Sequence, residues 1–319
     1  MRVHTESVMG QLTVIGGANI DICGASNEPL RNFDSNPGTI SVAFGGVGRN
    51  IAEYAALLGE KVKFVTAFSS DNYGTLLRKD CEQLGMDCSL SITTYDYPSS
   101  MYIAILDHDR DMRIAMSDMR ILRAFTKEML DDVLKSVSRD DIIIIDANLD
   151  IPSIHYIARN AGCILAADPV SVAKSARLAD VLDRMTVFKP NRFEAEDMSG
   201  IAINDEGSMR RVLDWFLEHG VKETVISMAD QGILLGTAEE KILLTHRIVD
   251  VENATGGGDS FLAAYTSARN CGDSPREAVR FAASCAVSVI EKQSADRRQI
   301  TRQAVMENAR GMQIKEKYL

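Results

Sequence analysis

The sequence predicts an α/β fold: a central, mostly parallel sheet with helices on both faces and a small β lid. Three observations carry this. Short, continuously apolar runs such as DIIIIDA (141–147), CILAAD (163–168) and TVISM (224–228) lack alternation, as strands buried on both faces do. Between such runs lie segments with apolar residues at helical spacing, giving a strand–helix–strand rhythm. Two regions, about 20–44 and 91–119, break that rhythm with short-periodic, turn-rich sequence that includes SNPG and DHDRD. Loops of that length without structure are uncommon in a compact domain, so both regions are expected to form short antiparallel lid strands. The chain, 1–319, reads as one domain.

In order, LTVIGGANIDI (12–22) is a strand broken by two glycines, and VGRNIAEYAALL (47–58) is a helix stopped at Gly59. VKFVTAF (62–68) reads as a strand and YGTLLRKDCEQLG (73–85) as a helix closed by Gly85. DIIIIDA, CILAAD, TVFKP (186–190) and TVISM follow as strands, each with helical or turn sequence after it. The terminal ARGMQIKEKYL (309–319) reads as a polar, peripheral helix end. No repeat or low-complexity tract interrupts the pattern.

Composition narrows the function. The formal net charge is −10, which argues against a nucleic-acid partner, because phosphate binding needs a basic face. Six cysteines are scattered without a C-x-x-C pair, the pattern of buried thiols in a reducing compartment. MRVHTESVMGQ carries no apolar signal-type core, and no stretch is long enough to span a bilayer, so a soluble, cytoplasmic protein is expected.

The stretch NATGGGDSFLAAY (253–265) sets three glycines before an aspartate and a helix. A helix N-terminus presents unpaired N–H groups and the positive end of its dipole, and glycines let an anion approach them. Gly256, Gly257 and Gly258 therefore read as an anion cradle. A carboxylate beside a phosphate site repels the ligand unless it takes a proton from the attacking hydroxyl, which is the role expected of Asp259. A flexible loop with an ordinary Asp cap fits the same letters. No Walker A loop occurs, and no G-x-G-x-x-G follows the first strand.

FGGVGRNIAEYAALLG (44–59) is a second glycine cluster before a helix, with Asn50 in its first turn. Close backbone approach at Gly45 and Gly46 beside an amide suits vicinal hydroxyls. Asn19 and Asp21 alternate along the first strand and share one face, so Asp21 is a candidate hydroxyl acceptor; turn chemistry is its ordinary alternative.

Taken in order, N-x-D, G-G-x-G-x-N, P-N-x-x-E (Pro190, Asn191, Glu194) and G-G-G-D resemble the ribokinase-like, or PfkB, family of carbohydrate kinases. The resemblance runs from about residue 12 to about residue 290. It implies Asp259 as catalytic base, Gly256 to Gly258 as anion hole, and Asn19, Asp21, Gly45, Gly46 and Asn50 as holders of sugar hydroxyls. Asn191 and Glu194 are implied to help place Mg²⁺ and the phosphates of ATP through water. SMADQG, from Ser227 to Gly232, corresponds to the nucleotide side, together with Thr255. Arg49 or Lys189 is a candidate to neutralise phosphate charge. Many relatives hold a monovalent cation through an aspartate and a threonine where this chain has Asn253 and Ala254, so potassium activation is left open. Family members often form homodimers through lid strands, and one is expected here.

Within the family the chain resembles the branch that phosphorylates pseudouridine. GANIDICG, DSNPGTI, FGGVGRNIAE, SDM (117–119), DPVS (168–171), FKPNRFEAE and N-x-TGGGD carry that likeness. It implies ATP-dependent phosphorylation of the ribose 5′-hydroxyl. Asn36, Ser117, Asp118 and Asn148 are candidates for reading the base. A ribokinase, a fructokinase, another nucleoside kinase, or a non-catalytic sensor on the same fold are the alternatives.

Overall fold

The computed structural model describes residues 10–245, 256–291, 299–312 and 314–319. The first predicted strand divides at its glycines: β1 (Leu12–Ile15) lies in the main sheet and β2 (Asn19–Ser26) leaves it. β3 (Gly38–Gly45) returns to α1 (Val47–Leu57), followed by β4 (Val62–Val65), β5 (Ala67–Ser69) and α2 (Asn72–Gln83). β6 (Ile92–Thr94) pairs with β5, so the start of the second irregular region stays with the body. β7 (Met101–Leu106) and β8 (Met112–Asp118) complete a four-stranded lid sheet in the order β3-β2-β7-β8.

After α3 (Lys127–Lys135) come β9 (Ile142–Asp146), α4 (Ile151–Asn160), β10 (Ile164–Asp168), the short α5 (Val172–Ser175) and β11 (Val187–Phe188). Next are α6 (Arg192–Ser199), α7 (Glu206–Glu218), β12 (Glu223–Ser227), β13 (Ile233–Gly236) and β14 (Lys241–Thr245). α8 (Gly257–Asn270), α9 (Pro275–Glu291), α10 (Arg302–Gly311) and β15 (Lys315–Tyr318) close the chain. The C-terminal segment is thus not only a helix end. β15 adds antiparallel to β14 and forms the edge of the main sheet, where polar residues on a strand are tolerated.

The main sheet runs β15-β14-β13-β12-β11-β10-β9-β1-β4. From β12 to β4 the neighbours are parallel, and β13 to β15 are antiparallel. Both faces are covered, which is why IIII of β9 needs no alternation. One core packs α1, α8 and α9 around Tyr54, Phe64 and Tyr265, and the other packs α4 and α7 around Phe188 and Phe216. Each such side chain contributes on the order of 1.5–3 kcal/mol when fully buried.

The chain proceeds outward from β1 to β4 and later places β9 on the other side of β1. In an open α/β sheet, ligands bind outside the carboxyl ends of strands where the order reverses. Gly16 and Gly17 after β1, and Asp146 and Asn148 at the end of β9, stand at that crevice. Among the described residues no helix is long and apolar enough to cross a membrane.

Candidate active site

Asp259 lies in the first turn of α8, whose cap Gly256 adopts a left-handed conformation (φ 82°) without a capping side chain. The first N–H groups of such a helix have no intrahelical acceptor, so Gly256 to Gly258 present donors where the sequence predicts the cradle. Oδ2 of Asp259 accepts a 2.8 Å hydrogen bond from Nδ2 of Asn50 in α1. The two glycine-led helices therefore meet at these side chains. Asn50 Oδ1 is buried and has no partner among the described residues.

Part of Asp259 remains accessible, but its carboxyl is desolvated, and that raises its pKa to about 7. Asp168 and, more weakly, Asp146 push the same way, while the Asn50 bond and Lys189 oppose them. Lys189 Nζ forms a buried 2.9 Å ion pair with Asp168 Oδ2. Burial works against the ammonium, but the carboxylates of Asp168, Glu194 and Asp259 outweigh it and hold the lysine above its ordinary range. A Cβ on Gly258 would lie 3.0 Å from Lys189 Nζ, so this glycine admits the cation to the cradle.

At the second glycine cluster, Asn19 faces Gly45 across the β2–β3 ladder, and its amide donates to Asp21 Oδ1. The Asp21 carboxylate occupies the space of a side chain at Gly45, where a Cβ would stand 2.0 Å from Oδ2. Gly46 has φ 104°, and a Cβ there would be 2.5 Å from the Gly17 carbonyl oxygen. Asn19, Asp21, Gly45, Gly46 and Asn50 are thus one cluster. Asn148 joins it through Gly17, whose Cβ would touch the Asn148 amide, while Asn148 Oδ1 accepts from Lys174 Nζ at 2.6 Å. A cleft of about 570 Å³ opens beside Asn148, lined by Ser117, Arg120, Arg123, Asp150, Lys174 and others.

Asn36 stands apart. Its amide is engaged within its own loop, accepting from Arg31 N–H and donating to the carbonyls of Arg31 and Asp34. Asp118 is held by Arg120. Arg49 is buried against Glu53 and Asp80, because a desolvated guanidinium needs carboxylate partners. Of the two cations read from the sequence, only Lys189 lies against the cradle.

Asn191 caps α6 in a reciprocal capping box with Glu194. The predicted pair is adjacent, but as cap and third helical residue. Asn191 bridges to Ser227, so these two positions also meet. Gly232 sits at φ 106° in the turn before β13, packed against the Leu244 carbonyl. Thr255, Asn253 and Ala254 lie outside the described residues. Sequence reasoning missed Asp146, Asp168 and Lys174 as members of the site. A carboxylate closing an apolar strand was the available signal for the two aspartates.

This is the fold of a ribokinase-like kinase. The chain matches the pfkB family carbohydrate kinase model over residues 9–302 and belongs to that family. It is 36% identical to the pseudouridine kinase of Escherichia coli (strain K12) over 276 residues, 86% of this chain and 88% of that protein. The crystal structure of a putative sugar kinase from Clostridium perfringens superposes with a TM-score of 0.84 at 26% identity, covering 97% of this chain and 99% of that one. Arabidopsis thaliana ribokinase complexed with ribose and ATP shares the fold, with a TM-score of 0.80 at 19% identity over 95% and 99% of the two chains.

Proposed function

We propose that the protein transfers the γ-phosphoryl group of ATP to the ribose 5′-hydroxyl of pseudouridine, giving pseudouridine 5′-phosphate and ADP. The observation that carries the transfer is Asp259, poised near neutral pH beside Asn50 at the mouth of a glycine-led helix. Its carboxylate orients the hydroxyl and takes its proton as the oxygen attacks the γ-phosphorus and the bond to the bridging oxygen of ADP breaks. Amides of Gly256 to Gly258 stabilise the charge on the transferring group, and Lys189 supplies a fixed cation. Asn19, Asp21, Gly45, Gly46 and Asn50 hold the ribose. Asn191, Ser227, Gly232 and Thr255 belong to the ATP side.

The donors near the phosphates fit Mg²⁺ through water. The capping box engages the single side-chain oxygen of Asn191 and one of the two carboxylate oxygens of Glu194, so the second oxygen of the buried Glu194 carboxylate, its pKa raised by desolvation, is the one that a cation nearby would favour. Bound there, Mg²⁺ would neutralise phosphate charge.

Likeness to pseudouridine kinase and the cleft beside Asn148 support a nucleoside over a bare sugar, since the cleft has room for a base beyond the ribose. A homodimer is also part of this reading. One lid face carries the cross-strand rows Val42–Ile22–Ile103–Met116 and Ile40–Gly24–Ile105–Ile114, with Ile40 78% and Met116 70% exposed. Such a face fits a second copy.

The test is ADP release from MgATP with pseudouridine, uridine, ribose, fructose and adenosine. Pseudouridine-selective turnover is expected. Turnover on another acceptor retains the kinase and removes the substrate assignment, and binding without turnover points to a sensor.

A further inference from the structure

Asp146 closes β9 and is fully buried. Its carboxylate accepts three backbone hydrogen bonds: Oδ2 from Gly17 N–H at 2.9 Å and Gly48 N–H at 2.7 Å, and Oδ1 from Asn148 N–H at 2.8 Å. Desolvation raises its pKa, yet every one of these neighbours is a donor, which fits the ionised form. Among the described residues no cation lies within ion-pair distance of it.

Three segments meet on this one group. Gly17 lies in the crossing from the main sheet to the lid, Gly48 in the first turn of α1, and Asn148 in the turn after β9. The α1 cap, Gly46, has no side chain to satisfy the helix N-terminus, and Asp146 supplies that acceptor and its negative charge from across the sheet. The fit is tight. A Cβ on Gly16 would stand 2.6 Å from Asp146 Oδ2, and one on Gly48 would stand 2.8 Å from Gly16 Cα. Glycine at 16 and 48 is therefore a condition of the clamp.

Each clamped segment carries an acceptor-side residue: Asn19 and Asp21 follow Gly17, Asn50 follows Gly48, and Asn148 is bound directly. We propose that Asp146 is a positioning residue for the phosphoryl acceptor, fixing Asn19, Asp21, Asn50 and Asn148 relative to one another and acting by its charge on Asp259. This rests on the kinase reading above. The charged groups facing Asp259 are Asp168 at the end of β10, Asp146 at the end of β9 and Lys189 beyond β11. Removing the Asp146 charge lowers the Asp259 pKa.

The experiment compares wild type, Asp146→Asn and Gly48→Ala in steady-state kinetics across pH, with exchange of the Gly17 and Gly48 amides measured alongside. Asp146→Asn keeps an oxygen for Gly17 and Gly48 but turns a donor toward the Asn148 N–H. It is expected to raise the acceptor KM by about tenfold, leave the ATP KM within about twofold, and move the acid limb of the rate profile to lower pH. Gly48→Ala disturbs the clamp but keeps the charge, so it should raise the acceptor KM with the acid limb in place and the Gly48 amide less protected. A lower Tm with unchanged acceptor KM and pH profile in both variants overturns the positioning role alone. A wild type that turns over no acceptor overturns the kinase reading and the role with it, even where amide exchange reports an intact clamp.

Discussion

Among the described residues, two helices begin on a glycine at positive φ without a capping side chain, α1 on Gly46 and α8 on Gly256. The glycines of the two are there for different reasons. Around α1 the space of each missing Cβ is filled by backbone or a carboxylate: Asp21 at Gly45, the Gly17 carbonyl at Gly46, and Gly16 at Gly48. Around α8 the nearest atoms are the ends of side chains at 3.0 to 3.1 Å, from Tyr54, Ile290 and Lys189. The first cluster is fixed by internal packing. The second is packed loosely enough that glycine there concerns what approaches from outside.

That contrast can be broken by substitution, and the largest effect belongs to the residue beside the second cluster. Asp259→Asn is expected to lower kcat by about 10²–10⁴-fold while the fold is kept, read by ADP release and circular dichroism. Gly45→Ala should come next, costing about 2–3 kcal/mol in denaturant unfolding because the Asp21 carboxylate and its strand must move. Gly258→Ala should do the reverse. Its methyl meets only the Lys189 ammonium, so stability should change by less than about 1 kcal/mol while kcat falls roughly tenfold. If Gly258→Ala unfolds as readily as Gly45→Ala, the distinction fails.

A smaller effect follows from the Asp259 carboxyl. Its folded pKa, about 7, lies above that of an ordinary carboxyl, so the folded state holds the proton more tightly than the unfolded chain. Ionising it weakens the fold. That cost is absent below the ordinary carboxylate pKa and complete above about 7. Asp259→Asn should therefore raise Tm relative to wild type above neutral pH, with the gain disappearing in acid. Smallest of all, Lys317→Ala removes an exposed pair with Glu206 and should change stability by less than about 1 kcal/mol.

The parts of this site that could be read from sequence are those whose chemistry is local. G-G-G-D announces a helix start and a carboxylate within four residues, and the parallel strands announce themselves as apolar runs. The same run also concealed something. DIIIIDA reads as a strand, but that Asp146 captures amides from the segment after β1 and from α1 depends on a crossing that no single segment encodes. Asn36 stands apart from the cluster for the opposite reason, since its amide is bonded within its own loop. Arg49 follows a glycine cluster and looked available to phosphate, but it faces α2, where Asp80 waits thirty-one residues away in sequence. β15 was missed because an edge strand can be polar.

The proposed role of Asp259 as the base in phosphoryl transfer to a nucleoside hydroxyl can be read from the rate of ADP formation from MgATP and pseudouridine against pH, for wild type and Asp259→Asn. Wild-type turnover is expected to fall on the acid side with a midpoint near the Asp259 pKa of about 7, with near-complete loss in the variant. Wild-type turnover that Asp259→Asn retains, with the same acid limb, would contradict it.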